Sequence, residues 1–330
     1  MDIEIQSRLQ GTKKALWESF LTKAGLHSDE AVERTALIWD EDGQLIATAS
    51  RQENLLKCIA VSDDHQGEGL TATLVTQLRQ DAFSQGYNHL FLYTKPKNEL
   101  QFSSLFFYPI AKTGDVLLME NKKDGISQFL QSLPVTPTEG TVGAAVMNCN
   151  PFTKGHRYLI ETAAKECNRL YVFVLSEDKS EFSFQDRLEM VKRGTADLTN
   201  VTVLPTGPYL ISSATFPTYF LKERDQAAYV QCLLDIEIFC QYFAPHFSIS
   251  RRYVGTEPLS PMTDRYNQAL ADNLPSRGIE LRQLSRLEAD KTPISASAVR
   301  AALQAGDTAL LEQYLPRTTY EYLQTKGFVK

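Results

Sequence analysis

The segment best equipped for chemistry is VGAAVMNCNPFTKGHRYLIETAAKE, residues 142–166. An apolar strand is expected over Val142–Met147, followed by a polar loop and a helix starting near Gly155. The first turn of a helix offers unpaired N–H groups at the positive end of its dipole, which suits a phosphate. Gly155 lets the backbone come close to a ligand, and His156 sits where its imidazole can face the same anion. A second segment, Ile294-Ser295-Ala296-Ser297-Ala298-Val299-Arg300, follows Pro293 and opens another expected helix. Two serine hydroxyls at a helix start, with an arginine one turn on, make a cradle for further phosphate groups. Taken singly, each segment reads equally well as a surface histidine or an ordinary serine cap. Both at opposite ends of one α/β region point to a nucleotide. No G-x-x-x-x-G-K-[ST] occurs, which excludes a P-loop NTPase.

Thr153-Lys154-Gly155-His156 resembles the (H/T)-x-G-H signature of the nucleotidyltransferase superfamily, and Ile294–Arg300 resembles its ISSTxxR-type motif, with Ala296 and Ala298 where relatives often carry Ser or Thr. The resemblance implies attack at the α-phosphate of ATP with pyrophosphate leaving, a step that rests on positioning and charge stabilisation. On that basis His156 donates to an α-phosphate oxygen, while Lys154, Arg300, Ser295 and Ser297 hold pyrophosphate and Mg²⁺ neutralises the remaining charge. Asn148, Asn150, Pro151, Phe152, Thr153, Gly155 and Ile294 belong to the two phosphate loops. Gly255, Glu257 and Pro258 follow a strand and are expected near the adenosine.

Four blocks, MNCNPFTKGHRYLIE, FSFQDRLEMVKRGTADLTNV, YLISSATFPTYFLK and RYVGTEPLSPMTDRYN, are similar in that order to the citrate lyase ligases. This narrower resemblance implies that acetate is activated as acetyl-adenylate. The acetyl group then passes to the thiol of a phosphoribosyl-dephospho-CoA group on the citrate lyase acyl-carrier (gamma) subunit, releasing AMP and pyrophosphate. Arg187 and Lys222 are cations beside charge-poor stretches and become acetate candidates, together with Ser212 and Ser213 in a proline-punctuated loop. Two other readings stay open: an adenylyltransferase acting on a phosphopantetheine or mononucleotide, and a CoA-dependent acetyltransferase carrying a regulatory nucleotide-binding module.

Near the start, Gln66-Gly67-Glu68-Gly69-Leu70-Thr71 stands between an expected strand and an expected helix. It resembles the Q/R-x-x-G-x-G/A motif of GCN5-related (GNAT) N-acetyltransferases, which implies that Gln66, Gly67, Gly69 and Thr71 face the pyrophosphate of a CoA-like arm. Thr71 replaces the usual small residue. The family's later Y-x-x-x-G-F falls on Phe102–Phe107, so phenylalanine stands where a tyrosine acid and a glycine are usual. The expectation is a domain that holds the arm without transferring acetyl to an amine.

The elements that must position these groups fall into two patterns. In the first third, strands are expected over Arg34–Asp40, Gln44–Arg51, Leu55–Ser62, His89–Thr94 and Asp115–Glu120, with helices over Lys13–Ala24, 67–86 and Asn98–Phe106. After residue 141, strands alternate with helices near 155–167, 184–194, 226–242, 263–272 and 296–305, the signature of βαβ units and a parallel sheet. The fold class is therefore α/β: a GNAT-like α+β domain over 1–130, a linker over 131–140 with Pro134 and Pro137, and a Rossmann-like nucleotidyltransferase domain over 141–330.

Composition limits the alternatives. The chain has 330 residues, enough for two domains, and its 22% charged and 43% hydrophobic residues are the usual globular mix. A net charge of −6 argues against a general nucleic-acid partner. No stretch reads as a membrane span, and MDIEIQSRLQ lacks the apolar core of a signal peptide. Five cysteines without C-x-x-C spacing disfavour a disulfide framework or a protein-ligated metal and fit a reducing cytoplasm.

Overall fold

A computed structural model describes residues 2–329 apart from 179, 211–216, 220, 222–226, 257–260 and 290–291, with backbone alone at 227–228 and 261–263. The chain packs as two compact units, Met1–Ile126 with Phe216–Leu234, and Ser127–Thr215 with Asp235–Lys330.

The first unit contains β1 (Asp2–Ser7), α1 (Gly11–Lys23), β2 (Arg34–Trp39), β3 (Leu45–Gln52), β4 (Leu55–Val61), α2 (Leu70–Ser84), β5 (Phe91–Thr94), α3 (Glu99–Ser103), β6 (Tyr108–Lys112) and β7 (Leu117–Glu120). They form one seven-stranded sheet in the order β1-β2-β3-β4-β5-β7-β6. All neighbours are antiparallel except β4 and β5. The expected β2–β3 hairpin forms because Gly43 takes φ +73° and the Asp40 carboxylate accepts the N–H groups of Asp42 and Gln44. Leu70, Leu74, Val75, Leu78 and Ala82 recur at helical spacing and bury one face of α2 on the sheet, against Ile38, Ala47 and Leu56.

Strands β1 and β6 were not expected. β1 is short, with its two isoleucines set among charged and polar residues. β6 contains Pro109, which lacks a ladder donor, and β6 is an edge strand, where that loss is tolerated.

The second unit begins in α4 (Gly125–Gln131), which takes up the start of the proline-rich stretch and leaves 132–140 without regular structure. There follow β8 (Val142–Met147), α5 (Lys154–Lys165), β9 (Arg169–Val174), α6 (Phe184–Gly194), β10 (Val201–Pro205), α7 (Ala227–Ile238, counted with the first unit as far as Leu234), a π-helical turn over Phe239–Phe243, α8 (Ala244–Phe247), β11 (Arg251–Gly255), α9 (Pro261–Asn273) and β12 (Glu280–Leu284). A small ladder of β13 (Glu288–Ala289) and β14 (Thr292–Pro293) precedes α10 (Ala296–Ala305), α11 (Thr308–Tyr314) and α12 (Arg317–Thr325).

Strands β8 to β12 make the expected parallel sheet, in the order β10-β9-β8-β11-β12. The order reverses between β8 and β11, and such a reversal opens a crevice at the carboxyl ends of the two strands. β8 and β11 pair only at Gly143–Arg251 and Ala144–Arg252, so their carboxyl ends part. Ala145, Ile160, Leu170, Val172, Met190 and Val299 belong to the buried core that fixes this sheet and its helices. Helices α11 and α12 were not expected and close the unit with Leu311, Tyr314, Tyr322 and Leu323 buried in that core.

Candidate active site

Where β8 and β11 part, a cavity of about 560 Å³ opens, lined by Met147, Asn148, Thr153, Gly155, His156, Gly255, Tyr266, Arg286, Ser295 and Ser297. Residues from both sequence motifs therefore meet in one place. They lie side by side at Gly155: a Cβ there would stand 3.4 Å from the Ile294 carbonyl oxygen, in ordinary contact.

His156 is fixed by a reciprocal cap. Thr153, the N-cap of α5, accepts the His156 N–H through its hydroxyl, while the Thr153 N–H donates to His156 Nδ1 at 3.1 Å. A backbone N–H can only donate, so Nδ1 is the unprotonated nitrogen and the neutral ring carries its proton on Nε2. Burial, with the Arg286 guanidinium behind it, pushes the imidazole down to about 4. The ring stacks on Phe152, with centroids 6.0 Å apart and planes 18° apart. Phe152 is itself fully buried, and a Cβ built at Gly194 would overlap its ring. Gly194→Ala is accordingly expected to cost about 1–3 kcal/mol by overpacking and to lower turnover more than its melting temperature alone explains. Thermal melts and steady-state rates on the same preparation check this.

Ser295 caps α10 by accepting the Ala298 N–H at 3.1 Å. The free N–H groups of this helix start and the Ser297 hydroxyl thus stand at the cavity wall. Arg300 is not among the lining residues. Its guanidinium donates to the Asn150 carbonyl at 2.6 Å and to Ser297 Oγ at 3.1 Å, and faces Glu181 at 3.6 Å. It braces the loop after β8 against the start of α10.

Two expected ligand cations are engaged elsewhere. Lys154 donates from Nζ to the carbonyls of Glu312 and Gln313, at 2.9 and 2.8 Å, closing the C-terminal end of α11. Arg187 is 0% exposed and gives Nε and both terminal nitrogens to main-chain carbonyls of Asn148, Leu175, Glu177 and Phe182 and to Asn148 Oδ1. It is a staple for the loops after β8 and β9, which corrects its reading as an acetate contact. The correction has a simple cause: a charge-poor sequence neighbourhood says nothing of how many carbonyls the strand ends leave unpaired. Cys149, next to the stapled Asn148, takes φ +53°, where a residue with a Cβ is strained. Asn150 Oδ1 accepts the Phe182 N–H, so this loop is held along its length. Pro151 follows through a cis peptide bond. Gly255 lines the cavity, and its carbonyl accepts from Asn267 Nδ2 at 2.9 Å. Ser212, Ser213, Lys222, Glu257 and Pro258 lie outside the described residues.

Two arginines were missed. Arg286, just past β12, lines the cavity and donates from Nε to the Thr256 carbonyl at 2.8 Å. A basic residue after the last parallel strand was the available signal. Arg252 is 1% exposed on β11, stacked 4.2 Å over the Phe239 ring. Its Nη2 lies 3.4 Å from the Tyr266 hydroxyl, while Nε and Nη1 have no hydrogen-bond partner among the described residues. Tyr266 lines the cavity and donates to Asp235 at 2.6 Å. Burial raises the Asp235 carboxyl above its ordinary range, against the pull of Arg252 and Tyr266.

The described lining of this cavity contains no carboxylate, and among the described residues no His, Cys, Asp and Glu cluster could hold a metal.

The first unit has a cavity of its own, of about 650 Å³, lined by Ile59, Ala60 and Val61 of β4, the Gln66–Thr71 turn, Tyr93 and Thr94 of β5, Lys95, Lys97 and Tyr219. Gly67 and Gly69 take φ +89° and +77°, which turns the chain into the start of α2. Gln66, Gly67, Gly69 and Thr71 are thus together at its edge. Phe106 is 65% exposed with φ +62°, a glycine-type backbone, as its register with the GNAT motif implies. Phe102 is buried in the core.

The citrate lyase ligase C-terminal domain family matches residues 142–323, and the acetyltransferase (GNAT) family matches residues 5–101. The [citrate [pro-3S]-lyase] ligase of Escherichia coli strain K12 is 38% identical over 324 residues, which covers 96% of this chain and 92% of that protein. The protein of the same name from Klebsiella pneumoniae is 40% identical over 294 residues, 87% of this chain and 86% of that protein. A phosphopantetheine adenylyltransferase of Clostridium botulinum (strain 657 / Type Ba4) is 36% identical over 92 residues, 27% of this chain and 52% of that protein.

Proposed function

The chain belongs to the citrate lyase ligase family, and from that premise we propose how its two cavities divide the work. The enzyme is a [citrate (pro-3S)-lyase] ligase, an AMP-forming acid–thiol ligase that uses ATP and acts on citrate lyase. In our reading, the C-terminal cavity takes ATP, with Mg²⁺ arriving on the phosphates as part of the substrate. An acetate oxygen attacks the α-phosphorus and pyrophosphate leaves. His156 donates from Nε2 to an α-phosphate oxygen, and the start of α10 with Ser295, Ser297 and Arg286 receives the departing pyrophosphate. The thiol of the carrier's prosthetic group, giving up its proton, then attacks the acetyl carbon, and AMP leaves. We place the reaction in the cytoplasm, which supplies ATP and keeps thiols reduced.

The observation that carries this reading is His156, its Nδ1 taken by the Thr153 N–H, in the same cavity as the α10 helix start. For acetate we propose Arg252. A guanidinium buried with two donors unpartnered is costly, and its planar fork matches a carboxylate. Tyr266 joins it to the cavity.

ATP–pyrophosphate exchange without carrier tests both statements. Exchange should depend on acetate, and Arg252→Lys should raise the KM for acetate by about tenfold or more while leaving that for ATP within about twofold. Both constants rising together would make Arg252 a support for the fold. Exchange driven by a phosphate ester instead of acetate would favour adenylyl transfer, the reaction named for the Clostridium relative.

The first unit, we propose, holds the nucleotide end and pantetheine stem of the carrier's CoA-like arm. The α2 start and the Gly67 and Gly69 turn face its pyrophosphate, and Lys95 and Lys97 add positive charge at the cavity wall.

A further inference from the structure

The parallel strands β4 and β5 pair only at Leu55–Phe91 and Leu56–Leu92 and separate beyond that point. Cys58, at φ +53° in the middle of β4, marks where the strand departs from regular geometry. The wedge between the strands is the cavity of the first unit. Its mouth is the exposed Gly67–Gly69 turn, and its inner wall includes the buried Tyr93 and Tyr219.

Tyr219 does not come from the N-terminal part of the chain. It belongs to Phe216–Leu234, the stretch that leaves the second unit after residue 215 and packs with the first. Strands that separate leave main-chain groups without a ladder partner, and such groups must be paired by a ligand or by the protein. Here the protein pairs one of them: Tyr219 Oη donates to the Tyr93 carbonyl at 2.9 Å. The main chain at this residue is held as well, since the Tyr219 carbonyl accepts the His27 N–H at 2.7 Å. Tyr219 is 6% exposed. Burial holds its hydroxyl well above the ordinary tyrosine range, so it stays protonated and remains a donor.

We propose that Tyr219 is a stop that sets the length of arm the wedge accepts, so that the cavity takes a pantetheine-type arm ending in a free thiol and rejects the same arm once it is S-acetylated. This rests on the reading of the first unit as the arm site. An arm entering at the Gly67–Gly69 turn runs along Val61, Ala60 and Ile59 toward the inner wall. A thiol ends there. An acetyl thioester adds three heavy atoms beyond the sulfur, and these meet an aromatic ring whose hydroxyl is tied to the Tyr93 carbonyl. The thiol leaves the wedge to react with the acetyl-adenylate, and the arm, once acetylated, is refused on its return. A wall assembled against an acyl group also explains how this unit can share a fold with acetyltransferases and still leave the acetyl group alone.

The test is calorimetric binding of dephospho-CoA and of its S-acetyl thioester to the full-length protein. The wild type should prefer the thiol by roughly tenfold or more, the scale of a steric penalty at a well-packed wall. Tyr219→Gly should bring the two affinities within about threefold by admitting the thioester, while Tyr219→Phe, which keeps the ring, should preserve the preference. Equal affinities in the wild type, no binding of either probe, or a preference unchanged in Tyr219→Gly would overturn the proposal. The wild-type ratio stands without any variant, should Tyr219→Gly fail to fold. Acetate-dependent exchange by the wild type without any arm reports on the other cavity, so a failed ratio leaves the ligase reading standing.

Discussion

Replacing His156 by alanine is expected to lower acetate-dependent ATP–pyrophosphate exchange by about 10²–10³-fold, the usual loss when one preorganised donor to a developing charge is removed. The size follows from how completely the ring is committed before substrate arrives. The Thr153 N–H holds Nδ1 as an acceptor, Phe152 stacks on the ring face, and the only proton left to offer is on Nε2. No reorganisation is needed at the moment of reaction. Because burial pushes the imidazole down to about 4, from an ordinary 6.5, the donor form persists through the whole working range. The kcat/KM profile should therefore have no acid limb near 6.5 attributable to this residue.

Linkage gives an independent check. Between about pH 6.5 and 4 the unfolded chain binds a proton at this position that the folded chain does not. Stability contributed at higher pH is thus lost as pH falls through that window. A His156→Ala protein should lose less of its melting temperature on acidification from pH 7 to 5 than the wild type. A wild-type acid limb at 6.5 that vanishes in a His156→Asn protein would contradict the locked neutral ring.

What was legible in the sequence was whatever depends on local period and local caps. The five parallel strands and the helices after β8, β9 and ahead of residue 305 are visible because apolar residues repeat at strand or helix spacing. The T-x-G-H helix start is visible because a cap is written within four residues. What was not legible depends on distant partners. β6 carries a proline that is acceptable only because the strand lies at a sheet edge. Lys154 is drawn to the end of α11 by carbonyls more than 150 residues away in sequence. No local pattern announces that residues 216–234 pack with the first unit, since their apolar content serves either unit equally well. Arg252 and Arg286 look like ordinary basic residues at strand ends until the burial of one and the cavity beside the other are known.

Arg187 offers the sharpest separation between what the sequence suggested and what the structure assigns, and its removal carries the second large effect. An acetate contact would be a cation with donors to spare, as Arg252 has. Arg187 instead lies wholly buried on α6, its guanidinium donating to carbonyls at the carboxyl ends of β8 and β9 and in the turn before α6: Asn148 at 2.9 Å, Leu175 at 2.8 Å, Phe182 at 3.1 Å, and Glu177. Those carbonyls stand where the sheet ladder has ended, so Arg187→Met would leave several buried acceptors without donors. Breaking a buried charged hydrogen-bond network in this way costs on the order of 3–5 kcal/mol. For a unit of this size that corresponds to a fall of about 10 °C in the melting transition of the C-terminal half. Asn148 lines the cavity proposed for ATP, so release of its loop should raise the KM values for ATP and acetate together. Arg187→Lys should recover little, because an ammonium group supplies one point of donation where a planar fork reaches four carbonyls. A melting temperature that stays put while the KM for acetate alone rises would restore Arg187 to the substrate. The arrangement of its donors makes the opposite result the expected one, and it explains why a cation can be indispensable to an anion-binding site without touching the anion.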